Sequence, residues 1–83
     1  MAEISRYETL PGSSRSAADL GVDGASVTIK ADGTKHVTLW NGSESGPDRY
    51  SYDVDPDGNY VPGSSHYSDS MTEVMKKMGH TRW

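Results

Sequence analysis

The chain contains no cysteine and no phenylalanine, and its longest uninterrupted apolar run is two or three residues. The lack of cysteine excludes a disulfide framework, a thiolate zinc site, an iron–sulfur cluster and a cysteine nucleophile. Apolar runs this short exclude a membrane-spanning helix. The opening Met1-Ala2-Glu3-Ile4-Ser5-Arg6 lacks the basic-then-apolar pattern of a secretory signal, so the expected location is cytoplasmic. Aliphatic residues are also scarce: Leu, Ile and Val together account for 11 of 83 positions. A proportion that low approaches the disordered range, but the net charge of −4 is too small to keep a chain expanded. Five Tyr, two Trp and four Met add apolar bulk. The expectation is one small acidic domain whose core supplies at most about 3–5 kcal/mol.

Residues 1–24 read as a partly ordered N-terminal arm. Ile4, Tyr7 and Leu10 fit neither a two-residue nor a helical period, and Pro11-Gly12-Ser13-Ser14 signals a turn. Ser16 to Leu20 can make one helical turn before Gly21, and an edge strand from Ile4 to Leu10 is the alternative use of the arm. Residues 25–79 read as the folded domain, and 80–83 as a tail.

Within the domain, Val27 and Ile29 alternate with Ser26, Thr28 and Lys30, and Val37 and Leu39 alternate with His36 and Thr38. Such alternation, rich in β-branched residues, marks half-buried strands. A two-residue turn at Asp32-Gly33 would mix the two faces. A three-residue loop of Ala31, Asp32 and Gly33, with Gly33 left-handed, pairs Val27 with Val37 and Ala25 with Leu39. Asp55-Pro56-Asp57-Gly58-Asn59 suits the same bend, so Val54 should face Tyr60 and Tyr52 should face Pro62. Tyr50, Tyr52, Val54 and Tyr60 then share a face. The segment Asn41 to Asp48 has no apolar residue and reads as a mobile loop.

Residues 68–79 carry the clearest helical pattern. Met71, Val74, Met75 and Met78 recur on one face, Ser70 and Glu73 form a capping-box pattern, and Gly79 is a natural stop. The predicted fold is α+β: an antiparallel four-stranded β-meander with one C-terminal helix packed on one face.

Several chemistries have partial signatures. Asp53, Asp55 and Asp57 followed by Gly58 match the first half of a calcium loop, but Ser64 stands where a bidentate carboxylate is needed. A hairpin turn explains the same letters. His36, His66 and His80 lack the spacing of a helical metal site, and phosphate-cradling glycine loops and a strained nucleophile turn are absent. No cofactor and no catalytic residue is therefore nominated. Asn41-Gly42-Ser43 fits a glycosylation acceptor, read as accidental in a cytoplasmic chain. Nucleic acid is disfavoured as a partner by the negative charge, since phosphate affinity comes from cations, and these cluster only around Lys76, Lys77 and Arg82.

Protein binding remains. Trp40 falls on the polar strand face with His36, Thr38 and Arg49, beside Glu44 of the 41–48 loop, and Trp83 ends the basic tail. Tryptophan is a favoured interface anchor. The outer strands offer edges for strand addition or homodimerisation. The nominated binding residues are thus Trp40, His36, Thr38, Arg49, Glu44 and Trp83. The expected role is a non-catalytic inhibitor or adaptor of the kind carried by phages or plasmids. A weak single-stranded nucleic-acid binder and a calcium module through Asp53, Asp55 and Asp57 are the alternatives.

Tyr50-Ser51-Tyr52-Asp53-Val54, preceded by Leu39-Trp40-Asn41-Gly42, resembles the core of the KTSC domain, which occurs alone in bacteria and at the end of some lysyl-tRNA synthetases. Ser13-Ser14 followed by Gly21-Val22-Asp23 is similar to that domain's opening segment. The resemblance covers about half the chain and requires an insertion at 43–48 and an extra turn at Asp32-Gly33. It implies a small non-catalytic domain, with RNA binding suggested for the family. Only Tyr50 and Tyr52 carry over position by position.

Overall fold

The computed structural model describes residues 2–79. Five antiparallel strands form one sheet in the order β1-β2-β3-β4-β5: β1 Ala2–Ile4, β2 Gly24–Ile29, β3 Lys35–Trp40, β4 Arg49–Val54 and β5 His66–Tyr67. Two short helices, α1 Ala17–Leu20 and α2 Thr72–Met78, join the loops that cover one face. The architecture is α+β as the patterning requires, with five strands in place of four.

The central hairpin follows its local chemistry. Val27 pairs with Val37 and Ala25 with Leu39. The bend spans residues 31–33: Lys30 N–H donates to Thr34 O at 2.7 Å, and Gly33 N–H donates to Lys30 O at 2.9 Å. Gly33 has φ +90°, a region a Cβ would strain. The second bend repeats this, with Gly58 at φ +92° and Asp55 N–H on Asn59 O at 2.8 Å.

The fourth predicted strand does not form where it was expected. Val54 bridges Tyr60, but pairing then stops, so Tyr52 does not face Pro62. Pro62 has no N–H to give a ladder, and Gly63 turns the chain at φ +84°. The edge is resumed by β5, which sets Tyr67 opposite Tyr50 and His66 opposite Ser51. The remaining strand, β1, comes from the N-terminal segment and sets Ile4 opposite Ala25.

From the segment read as a partly ordered arm, residues 10–22 contribute side chains to the core. Leu10, Ala17, Leu20 and Val22 lie in the same core as Val37, Leu39, Tyr50, Tyr52, Val54, Met71, Val74, Met75 and Met78. Helix α1 has a complete capping box: Asp19 N–H donates to Ser16 Oγ at 3.2 Å, and Ser16 N–H donates to Asp19 Oδ2 at 3.1 Å. Arg6 Nε donates to Val22 O, and Tyr52 Oη donates to Pro11 O at 2.6 Å.

The box predicted at Ser70 and Glu73 is not made. Ser70 lies in a 3-10 turn, Asp69–Met71, that precedes α2, and its Oγ donates to Asp48 Oδ1 at 2.6 Å. A serine hydroxyl given to a loop carboxylate is lost to the helix end. Seven residues make a marginal helix by themselves. Burial of Val74, Met75 and Met78 holds α2, each side chain contributing about 1.5–3 kcal/mol.

Candidate functional site

Strand alternation turns the other side chains of the sheet outward, and strand register arranges them in rows. Glu3, Ser26, Thr38, Ser51 and His66 form one row across all five strands. Thr28, His36 and Asp53 form a second, and Gly24, Trp40 and Arg49 a third.

In the second row, His36 Nδ1 and Asp53 Oδ1 are 2.8 Å apart, and Lys30 Nζ stands 3.7 Å from Asp53 Oδ2. The three side chains are 39%, 28% and 49% exposed for His36, Asp53 and Lys30. Ion pairs this open are worth about 0–1 kcal/mol each. Their effect is to fix orientation: the bond at Nδ1 leaves the other ring nitrogen, Nε2, as the polar atom that His36 can offer to a partner. Asp53 is steadied from behind, its N–H donating to Ser64 Oγ at 2.9 Å.

The third row is closed at Gly24 and Trp40, while Arg49 at its end is exposed. Gly24 lies opposite Trp40, and a Cβ built on Gly24 would stand 2.5 Å from Trp40 Cζ2 and 2.6 Å from Cε2. The indole therefore lies across the glycine, only 7% exposed. Ser26 and Thr38 beside it are also buried. Ser26 Oγ donates to Glu44 Oε2 at 3.2 Å, which brings the 41–48 loop back onto this end of the face. That loop, read from sequence as mobile, is tied at both ends. Asn41 N–H donates to Asp48 O at 3.0 Å, and Gly42 N–H donates to Asp23 Oδ2 at 2.7 Å.

Of the residues nominated from sequence, Trp40, His36, Thr38 and Arg49 share the outer face, and Glu44 reaches it through Ser26. Arg49 is exposed and His36 half-buried, whereas Trp40 and Thr38 are buried. Trp83 lies outside the described residues. Gly24, Ser26 and Glu3 were missed, although the hairpin register places Gly24 opposite Trp40 and Ser26 opposite Thr38. His66 had no such signal, because β5 follows the interruption at Pro62-Gly63.

The acidic bend is occupied by its own backbone. Asp55 Oδ1 accepts from Asp57 N–H at 3.0 Å and Asn59 N–H at 2.9 Å, while Asp53 faces His36 and Lys30. Among the described residues no group of three or more His, Asp or Glu is placed to hold a metal ion. In the other bend, the Thr34 N–H that Asp32 accepts holds that exposed carboxyl below its ordinary range. On the covered side, burial pushes the phenols of Tyr50 and Tyr52 well above theirs.

The sheet edges are short: β1 has three residues and β5 two. Among the described residues no helix is long and apolar enough to cross a membrane. No protein family matches the chain, and no curated protein or solved structure matches it either.

Proposed function

We propose that the chain is a non-catalytic binding module of the inhibitor or adaptor type, and that it meets another protein through the open part of its outer sheet face. The carrying observation is the asymmetry of the two faces. One is sealed by α1, α2 and the loops, while the other carries no helix among the described residues and presents Thr28, His36, Ser51, Asp53, Arg49 and His66 at half or full exposure. The His36–Asp53–Lys30 group is oriented before any partner arrives, which lowers the ordering cost of association. The face mixes both signs of charge, as protein surfaces do, and lacks the run of cations that phosphate binding needs. Trp40 acts in this reading as a floor that stiffens the closed end, and the contact residues are His36, Arg49 and their exposed neighbours. A KTSC-type domain is in keeping with this assignment, since Tyr50 and Tyr52 lie in the core and leave the outer face for binding.

Site-specific photo-crosslinking in the native host tests the proposal. A photoreactive side chain at Thr28 or Ser51 should capture one discrete protein, and the same group at Lys77 on the exposed side of α2 should not. Equal capture from both sides, or RNA as the crosslinked species, would refute the reading.

A further inference from the structure

We infer that Asn41–Gly42 is a self-modification site, at which Asp23 promotes conversion of Asn41 to aspartate and isoaspartate. The inference does not depend on the binding proposal. Its basis is that one residue gathers both reacting groups. Asp23 N–H is shared between Trp40 O at 3.0 Å and Asn41 Oδ1 at 3.1 Å, and Asp23 Oδ2 accepts from Gly42 N–H at 2.7 Å. Among the described residues the Asn41 amide nitrogen has a single long contact, to Met71 Sδ at 3.9 Å. Gly42 is exposed, and among the described residues nothing beyond its own chain neighbours lies within 4 Å of the position a Cβ would take.

Each contact has a role in ring closure. The Gly42 nitrogen is the nucleophile and the Asn41 side-chain carbonyl carbon the electrophile. The Asp23 carboxylate takes the Gly42 amide proton as the new N–C bond forms, a general-base function. The Asp23 N–H supports the charge that develops on Asn41 Oδ1, as an oxyanion donor does. The bond from that carbon to Nδ2 then breaks, and ammonia leaves carrying the transferred proton. The product is a five-membered succinimide. Water adds to one of its two carbonyls and opens it to aspartate or to isoaspartate, so no oxidant or other reagent is consumed. A glycine after the asparagine leaves the nucleophile unhindered. Holding both partners on Asp23 replaces a chance encounter in a floppy chain by a fixed one.

The modification changes the loop. Either product places a new carboxylate beside Asp23, and isoaspartate also inserts a methylene into the main chain. Both oppose the ties from Asn41 to Asp48 and from Gly42 to Asp23 that hold the 41–48 loop.

The test follows the full chain at neutral pH and physiological temperature, folded in buffer and unfolded in urea. Peptide mapping by mass spectrometry, with separation of the isoaspartyl isomer, measures conversion at Asn41. Folded protein should convert on the order of tenfold faster or more than unfolded protein, and Asp23→Ala, which keeps the backbone N–H, should remove the advantage. Conversion that is equal or slower in the folded chain overturns the inference, as does a folded Asp23→Ala protein that converts at the parent rate. If Asp23→Ala does not fold, the comparison of folded with unfolded parent chain decides the matter.

Discussion

Gly24→Ala tests the closed end of the outer face directly. Gly24 has no positive φ, so alanine fits the backbone there, and at this first position of β2 it should gain at most about 0.5–1 kcal/mol over glycine. Against that stands the ring of Trp40, since the new methyl would sit 2.5–2.8 Å from three indole atoms. The ring is 7% exposed and cannot simply swing into solvent, so the overlap should cost about 1–3 kcal/mol. The net expectation is a loss of up to about 2.5 kcal/mol, and about 4–8 °C in Tm for each kcal/mol in a domain of this size. The sharper quantity is the coupling. Trp40→Val keeps a strand-favouring residue but removes the ring, and in that background Gly24→Ala should become stabilising by about 0.5–1 kcal/mol. Urea denaturation of the four proteins, followed by circular dichroism, gives the double-mutant cycle. A coupling of at least about 1 kcal/mol is expected, and a value under about 0.5 kcal/mol would mean that the indole does not lie across Gly24.

Three further predictions concern the covered face, the first helix and the turn before α2. Tyr50 and Tyr52 have folded-state pKa values raised by burial, so the folded chain holds protons that the unfolded chain gives up. Their contribution is complete below the ordinary phenol value near 10 and is lost as pH rises, at up to about 1.4 kcal/mol per pH unit for each ring. Urea midpoints should therefore fall steeply above about pH 10, and less steeply in Tyr52→Phe; ordinary titration of all five tyrosines with the fold intact would contradict this. Ser16→Ala should cost about 0.5–2 kcal/mol by removing the cap of α1. Ser70→Ala, exposed and outside any capping contact, should stay within about 0.5 kcal/mol in the same thermal melts.

The two bends were legible because their physics is local. Asp32-Gly33 and Asp57-Gly58 supply the left-handed glycine, and alternation of Val27, Val37 and Leu39 permits only one register that keeps the faces distinct. The helical turn after Ser16 was legible for the same reason. The Ser70 box was a false signal because a competing acceptor, Asp48, lies 22 residues away and is invisible to a four-residue pattern. β1 and β5 have three and two residues, too few to show a period. Leu10 stands between Thr9 and Pro11 with no apolar period around it, and nothing local distinguishes it from a surface residue.

The candidate face divides in the same way. Its outward members on β2, β3 and β4 follow from alternation, which alone places Trp40, His36, Thr38 and Arg49 together. Their exposure did not follow. Alternation says to which side a residue points, but burial depends on what crosses over it, and Trp40 is hidden because it lies along Gly24.

The order of letters by itself determined two bends, one register, the apolar stripe of α2 and the sidedness of the central strands, because each depends on neighbours within a few residues. Only the tertiary structure decided which strands close the sheet, that residues 10–22 help to fill the core, and that Asp23 meets Asn41 and Gly42. These depend on contacts between segments far apart in the chain, where the free energy of packing, and not any local preference, selects the partner.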